Sequence, residues 1–412
     1  MGGVEVLTYD VIVVGAGPAG ATAAHECTKM GLSALILEKE ALPREKPCGG
    51  AVMYRALRLI DGKVPKHVVE QRIHGLRFLL PGGKVAEFRS NKLMGITVFR
   101  DRFDEFLARR AERAGAELIE SARVTNVSVS QHSARVELAD GREYRSEYLL
   151  GADGVNSVVS RALGLRPKRK DLLKVGLGME SDFYVGEEGV AKATDGNPSI
   201  LEICPSENQI CYGWIFPKKE HLAIGVAGSG VHMRDLRTKF DEFCRKTESR
   251  LGIPLNLEKR RTFFIGGDGL RSKNVTERAI LIGDAAGFVD PMMGEGIAYA
   301  MQSAVCAVSV ISKAIAEGRH DEEILSEYHR HCQDHFSSSF TFAGQVGSGG
   351  TPLAELILPR VSGHRLAGEV MAKVARGEIS YSDIPYTVMK SLPRELPTII
   401  KQVVRSRIGI SN

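Results

Sequence analysis

The run Gly15-Ala16-Gly17-Pro18-Ala19-Gly20 constrains the chain more than any other feature, because of what stands on either side of it. Tyr9 to Val14 is a short apolar, β-branched run of the kind a buried parallel strand shows. Pro18 to Met30 is rich in alanine and stops at Gly31, the pattern of a helix closed by a C-terminal glycine. Ser33 to Glu38 reads as a second strand, so the segment predicts a βαβ unit. In that setting each glycine has a mechanical task. Gly15 permits the tight turn, Gly17 lets the backbone approach a pyrophosphate, and Gly20 lets the helix lie close to the strand. Glu38 ends the second strand, where a carboxylate can hold a ribose hydroxyl. The unit predicts a dinucleotide site.

The rest of the chain alternates in the same manner. A Pro/Gly-rich loop at Pro43 to Gly50 precedes an expected helix at Val52 to Leu59, and Asp101 to Ala114 places Phe103, Phe106 and Leu107 on one helical side. Strands at Arg123 to Val129 and Ala134 to Leu138 lead to an Asp140-Gly141 hairpin turn, and Tyr148 to Ala152 returns as an apolar strand. Between about 171 and 270 lie several strand runs, Ile210 to Phe216 among them, interrupted by a helix near Met233 to Arg245. Ala279 to Gly283 is another buried strand, a long helix follows from Gly294 to Glu317, and Asp321 to Gln333 continues as helix. Beyond the break at Gly347 to Gly350 the sequence reads as helical. The expected class is α/β (α+β overall), with a discontinuous domain at 1–165 and 260–340, a β-rich insertion at 166–259, and a helical region at 341–412.

Composition excludes several classes. With 43% hydrophobic and 25% charged residues, the 412-residue chain is neither disordered nor fibrous. A formal net charge of +5 does not specify nucleic acid, and no nucleic-acid partner is expected. The seven cysteines are scattered without a CxxC pair, against a disulfide framework or a zinc site. His329, His331 and His335 read as a solvated helical face, and no metal is expected. No signal peptide is visible, and the apolar run Ile297 to Ile311 reads as a buried helix, so a cytoplasmic protein is expected.

Two further strand ends narrow the ligand. Gly151-Ala152-Asp153-Gly154, with Ser157 and Arg161 beyond, turns from strand into helix, and so does Gly283-Asp284-Ala285-Ala286-Gly287, leading through Pro291 to Gly294-Glu295-Gly296-Ile297. Strand-end aspartates accept hydrogen bonds from ribityl or ribose hydroxyls. The N-terminus of the long helix can present its dipole to a flavin edge that gains negative charge on reduction.

These three fingerprints, in this order, resemble the Rossmann-type FAD-binding domain of the aromatic-hydroxylase-like flavoproteins, with Arg100-Asp101-Arg102-Phe103 similar to their arginine segment. Lys46-Pro47-Cys48-Gly49-Gly50-Ala51 resembles the cysteine loop of the geranylgeranyl reductases. Tyr212-Gly213-Trp214-Ile215-Phe216-Pro217 with Gly225 resembles their YxWxFP…GxG segment, the last glycine being Ala227 here. The resemblance implies cofactor contacts from Gly15, Gly17, Ala19, Gly20, Ala21, Glu38 and Lys39, and from Cys48, Gly49, Ala51, Arg100 and Val124. It implies further contacts from Asp153, Gly154, Asp284, Gly294, Gly296 and Ile297. Tyr212, Trp214, Phe216 and Pro217 would wall a substrate cavity, and Cys48 is the catalytic candidate.

The chemistry is coherent with that resemblance. A polyprenyl chain offers almost no hydrogen-bonding groups, so its tunnel must be apolar. Tyr212, Trp214 and Phe216 alternate along one strand and share a face, which without the resemblance reads as sandwich core. Hydride goes to one alkene carbon and a proton to the other. The expected function is FAD-dependent hydrogenation of geranylgeranyl chains, of digeranylgeranylglycerophospholipids first. Geranylgeranyl diphosphate or geranylgeranyl-chlorophyll is the alternative substrate, and a flavin monooxygenase or halogenase of the same fold is the alternative reaction. The expected electron donor is NADPH, NADH or reduced ferredoxin. Ile399, Ile400, Val403, Val404 and Ile408 share a helical face beside Lys401, Arg405 and Arg407, read either as docked on the substrate domain or as a peripheral contact with an anionic membrane surface. The basic run Arg166 to Lys170 reads as a solvated connection.

Overall fold

In the computed structural model of the chain, the described residues are 8–165, 175–206, 211–233, 235–290, 294–347, 359, 361–388 and 390. The basic run at 166–170, the glycines at 348–350, Pro291, Ile210 and the final segment with Ile399 to Ile408 lie outside them.

The apolar run predicted as the first strand is Thr8–Val14, in the middle of an eight-stranded sheet. On one side it pairs in parallel with Ala34–Leu37, and on the other with Glu143–Gly151, which in turn pairs with Ala279–Leu281. Residues 11–14, 34–37, 148–150 and 279–281 are buried at every position, which is why these stretches read as continuous apolar runs rather than alternating ones. The register places Val14 opposite both Leu37 and Gly151, and Gly151 opposite Leu281. Gly15, Glu38, Asp153 and Asp284 therefore leave the sheet along one edge, at the point where the chain connections diverge to either side of the first strand. Open parallel sheets bind ligands there. Pro18–Lys29 packs against the long helix Ile297–Glu317 and against Arg100–Arg113. Ile297–Glu317 is long and apolar enough to cross a membrane, and it is buried in this core at Ala304, Ala307, Ile311 and Ala314.

A second, seven-stranded sheet runs in the order Arg261–Gly266, Val175–Tyr184, His221–Ser229, Cys211–Pro217, Ile200–Pro205, Gly75–Leu79, Val85–Arg89. It draws its last two strands from 75–89 and its first from 261–266, outside the stretch 166–259 expected to form the β-rich insertion. Alternation divides its side chains. Ile215, Ile224 and Val226 pack with Phe240 of the helix Leu236–Leu251 on one face, and Tyr212 and Phe216 join Leu76, Phe78 and Ile203 on the other. That second face is covered by the helix Arg365–Ala375.

The expected helix at Val52 to Leu59 is a strand, Ala51–Met53, followed by the short helix Tyr54–Arg58. Pairing of Ala51 with Thr97 and Val52 with Ile96 overrides the local helical pattern. The helix expected near Met233 begins at Leu236 and ends at Leu251, where Gly252 takes a left-handed C-cap with φ 61°. The helix expected at 321–333 is two, Glu322–Leu325 and Glu327–Gly347.

Candidate active site

At the glycine turn, Gly15 has φ +103°, and a Cβ there would lie 2.5 Å from the Ala152 carbonyl oxygen. A Cβ on Gly20 would lie 1.9 Å from the Gly15 oxygen, so only glycine lets the helix start this close to the strand. Gly17 differs. Its Cβ would meet just one atom, Nη2 of Arg44, at 3.8 Å, which leaves its backbone open to a ligand. The buried Glu38 carboxylate accepts from the Ala16 N–H at 2.9 Å and stands 3.4 Å from Arg44. Arg44 also donates to Asp104 at 2.9 Å, and Asp104 accepts two bonds from Arg100, at 2.8 and 2.9 Å. Burial opposes ionisation of Asp104, but Arg100 and Arg44 hold its carboxyl below the usual range. Charges of alternating sign thus run from Glu38 through Arg44 and Asp104 to Arg100. Neither Arg44 nor Asp104 stands out in the sequence, since their meaning arises only when segments some sixty residues apart meet.

A cavity of about 890 Å³ opens along this edge. It is lined at one end by Gly15, Gly17, Ala19, Glu38, Lys39, Val124, Asp153 and Gly154, and in the middle by Cys48, Gly49, Ala51, Arg100, Asp284, Gly294, Gly296 and Ile297. Tyr212, Trp214 and Phe216 form its far wall. Gly20 and Ala21 lie behind the lining, in the helix packing, and Pro217 accepts a hydrogen bond from Thr97 at 2.7 Å. The cavity also contains an apolar limb that the sequence did not reveal. Leu76, Phe78, Leu201 and Ile203 of the second sheet face Met371, Val374 and Ala375 of the covering helix.

The aromatic strand touches the cysteine loop directly. A Cβ on Gly49 would lie 2.7 Å from Trp214 Nε1 and 2.8 Å from the Phe216 ring. Gly225 lies opposite Trp214, and its missing side chain is what the indole occupies. Ala227, in place of the last motif glycine, sits opposite Tyr212 and is buried. The Cys48 N–H donates to Glu180 at 3.0 Å, and the thiol accepts from the Gly50 N–H at 3.4 Å. Burial, reinforced by Asp182, pushes the Glu180 carboxyl up to about 7, against the pull of Arg261 and Lys218. Its other oxygen is buried without a partner.

That shift sets a pH dependence. Between the unfolded value of about 4.3 and the folded value near 7, the native protein binds more protons than the unfolded chain, so this group's contribution is lost as pH rises through that window. The loss is on the order of 3 kcal/mol. Glu180→Gln is expected to flatten the fall in urea-unfolding stability between pH 5 and 8; an unchanged slope would contradict the assignment.

The donor set fits a flavin dinucleotide. Asp153 uses one oxygen to accept from Val158 N–H at 2.6 Å, while its other oxygen is buried, unpartnered and on the cavity wall. Trp214 Nε1, Glu295 Oε1 and Arg55 Nε are in the same state on side chains lining the same cavity. Backbone open at Gly17 suits a pyrophosphate, and buried carboxylates at Glu38 and Asp153 suit hydroxyl donors. Among the described residues no group of three or more His, Cys, Asp or Glu is arranged to hold a metal.

Comparison with known proteins agrees with this geometry. Residues 8–343 match the family described as FAD binding domain. The digeranylgeranylglycerophospholipid reductase of Methanococcus vannielii is 30% identical over 345 residues, 78% of this chain and 81% of the relative. The geranylgeranyl diphosphate reductase of Rhodobacter capsulatus is 29% identical over 311 residues, 71% and 72% of the two chains. A solved geranylgeranyl bacteriochlorophyll reductase-like protein from Thermoplasma acidophilum shares the fold with a TM-score of 0.78. It covers 96% of this chain and 99% of that one at 22% identity.

Proposed function

The chain belongs to the geranylgeranyl reductase family of FAD-binding flavoproteins and is an FAD-dependent oxidoreductase, and on that premise we propose that it saturates the double bonds of geranylgeranyl chains carried by digeranylgeranylglycerophospholipids, in archaeal membrane lipid biosynthesis. The observation that carries this reading is the apolar limb. Leu76, Phe78, Leu201, Ile203, Met371 and Val374 offer a bound chain no hydrogen-bonding side chain. A site built for a polar aromatic substrate would leave such a chamber unfilled, whereas a prenyl tail gains roughly 0.8 kcal/mol for each CH₂ it buries there.

FAD, when bound and reduced, supplies the hydride. In this reading the backbone at Gly15 and Gly17 faces the pyrophosphate, and Ala19, Gly20 and Ala21 shape the helix start behind it. Glu38, with Lys39 beside it, and Asp153, with Gly154, would accept from the hydroxyls, and Val124 would hold the adenosine. Arg100, Asp284, Gly294, Gly296 and Ile297, together with Cys48, Gly49 and Ala51, would hold the isoalloxazine. Tyr212, Trp214 and Phe216 hold the alkene and exclude water. Their centroids are spaced 5.9 and 6.3 Å apart, a continuous apolar wall. Trp214→Ala opens that wall and is expected to lower kcat/KM by about 10- to 100-fold with FAD content unchanged.

Anaerobic incubation of reduced enzyme with the phospholipid tests the reading. The expected product gains two mass units per reduced bond, and the phospholipid outperforms geranylgeranyl diphosphate, the substrate named for the bacterial relative. Preference for the diphosphate would move the assignment to that substrate, and a product formed only with oxygen would replace it with hydroxylation or halogenation. Stopped-flow mixing with NADPH, NADH and reduced ferredoxin identifies the donor as the one that bleaches the flavin fastest. The phospholipid substrate would be met at the inner face of the cell membrane, through a peripheral contact that vesicle co-sedimentation checks.

A further inference from the structure

The reaction proposed above needs a proton at the alkene carbon that does not receive hydride, and we propose that Glu295 donates it; the inference rests on that reading. Glu295 lines the cavity just before the long helix, with its side chain 9% exposed. One oxygen stands 3.3 Å from Arg55 Nη2, and the other is buried without any hydrogen-bond partner. A buried, unpartnered carboxyl oxygen on the cavity wall is costly as an anion and favourable as an acid.

The groups facing it come from every surrounding element. Arg55 belongs to the short helix Tyr54–Arg58, Asp290 to the preceding loop, Tyr299 to the long helix, and Tyr381 to the segment after the covering helix. Arg55 donates to the Tyr299 hydroxyl at 3.0 Å, which donates to Asp290 at 3.1 Å, so the guanidinium is fixed beside Glu295 by a second anchor. Burial raises the Glu295 carboxyl to about 7, Arg55 lowering and Asp290 raising it in turn. The competing Tyr212 donor is less suited, since burial pushes its phenol far above its ordinary range.

The step balances as follows. The O–H bond of Glu295 breaks and its proton forms a C–H bond with the alkene π pair. The hydride that reduced FAD supplies forms the C–H bond at the neighbouring carbon, and the flavin is oxidised by two electrons. Glu295 remains as a carboxylate facing Arg55 and regains its proton from solvent.

The test uses FAD-loaded wild type, Glu295→Gln and Glu295→Asp, reduced with dithionite and mixed anaerobically with a geranylgeranyl substrate between pH 5.5 and 8.5. Wild-type flavin reoxidation is expected to fall as pH rises through about 7, and E295Q to lose at least ~100-fold with a flat profile, E295D recovering part of the rate. Independently of turnover, infrared difference spectra should show a protonated-carboxyl band that titrates near pH 7 in wild type and is missing in E295Q. E295Q reoxidising within threefold of wild type, or an unaltered infrared titration, overturns the assignment alone. Wild type inert toward every prenyl substrate overturns the proposed function and this inference with it.

Discussion

Gly17→Val is expected to give a folded, colourless protein. Position 17 has room for a side chain in the free protein, since its Cβ would meet only Arg44 Nη2 at 3.8 Å, and its φ of −75° strains no L-residue. The space that valine fills is the space a pyrophosphate needs to reach the helix N–H groups. FAD affinity should drop at least ~100-fold while far-UV circular dichroism and melting temperature stay close to wild type. Gly20→Val makes the complementary case. Its Cβ would lie 1.9 Å from the Gly15 carbonyl oxygen, so the helix must shift from the strand, and both FAD content and stability should collapse. Gly31→Ala, at φ +77° with nothing within 4 Å, is the control, expected to cost about 1 kcal/mol and keep its FAD. A yellow Gly17→Val protein with an unchanged dissociation constant would show that the dinucleotide lies elsewhere.

Ile203→Trp is expected to separate cofactor chemistry from chain acceptance. Ile203 sits opposite Trp214 in one strand pair and opposite Phe78 in the other, and it lines the apolar limb. An indole there fills volume that a geranylgeranyl tail would occupy, while the glycine turn and Glu38 are untouched. Flavin content and its rate of reduction should remain those of wild type. Activity on the twenty-carbon chain should fall on the order of 100-fold, and a five- or ten-carbon prenyl substrate should lose much less. Equal losses on short and long chains would show that the limb does not hold the tail.

The two substitutions also mark what was legible in the sequence. The glycine turn, its flanking strands and the strand-end aspartates are local features, written in hydrophobic period and in residues that must adopt particular backbone angles. Asp153 and Asp284 are legible as strand-end residues for that reason, and the parallel register brings both to the edge where Gly15 leaves the sheet. Arg44 and Asp104 were missed because neither belongs to a motif. Their value lies in one contact of 2.9 Å between a loop and a helix. Val52 misled for the opposite reason, since its helical surroundings yield to a strand pairing with Ile96. The apolar limb escaped because its residues read as ordinary core: Leu76, Ile203 and Val374 come from three distant segments, and no periodicity says that such side chains also line a cavity.

The helix Arg365–Ala375 lies beyond residue 343, where the family match ends, yet it supplies one wall of the cavity. Residues within the match supply Leu76, Phe78, Leu201 and Ile203 on one side of the limb, and a segment beyond it supplies Met371, Val374 and Ala375 on the other. Substitution at Met371, Val374 or Ala375 would reshape that wall while leaving the glycine turn at Gly15 untouched.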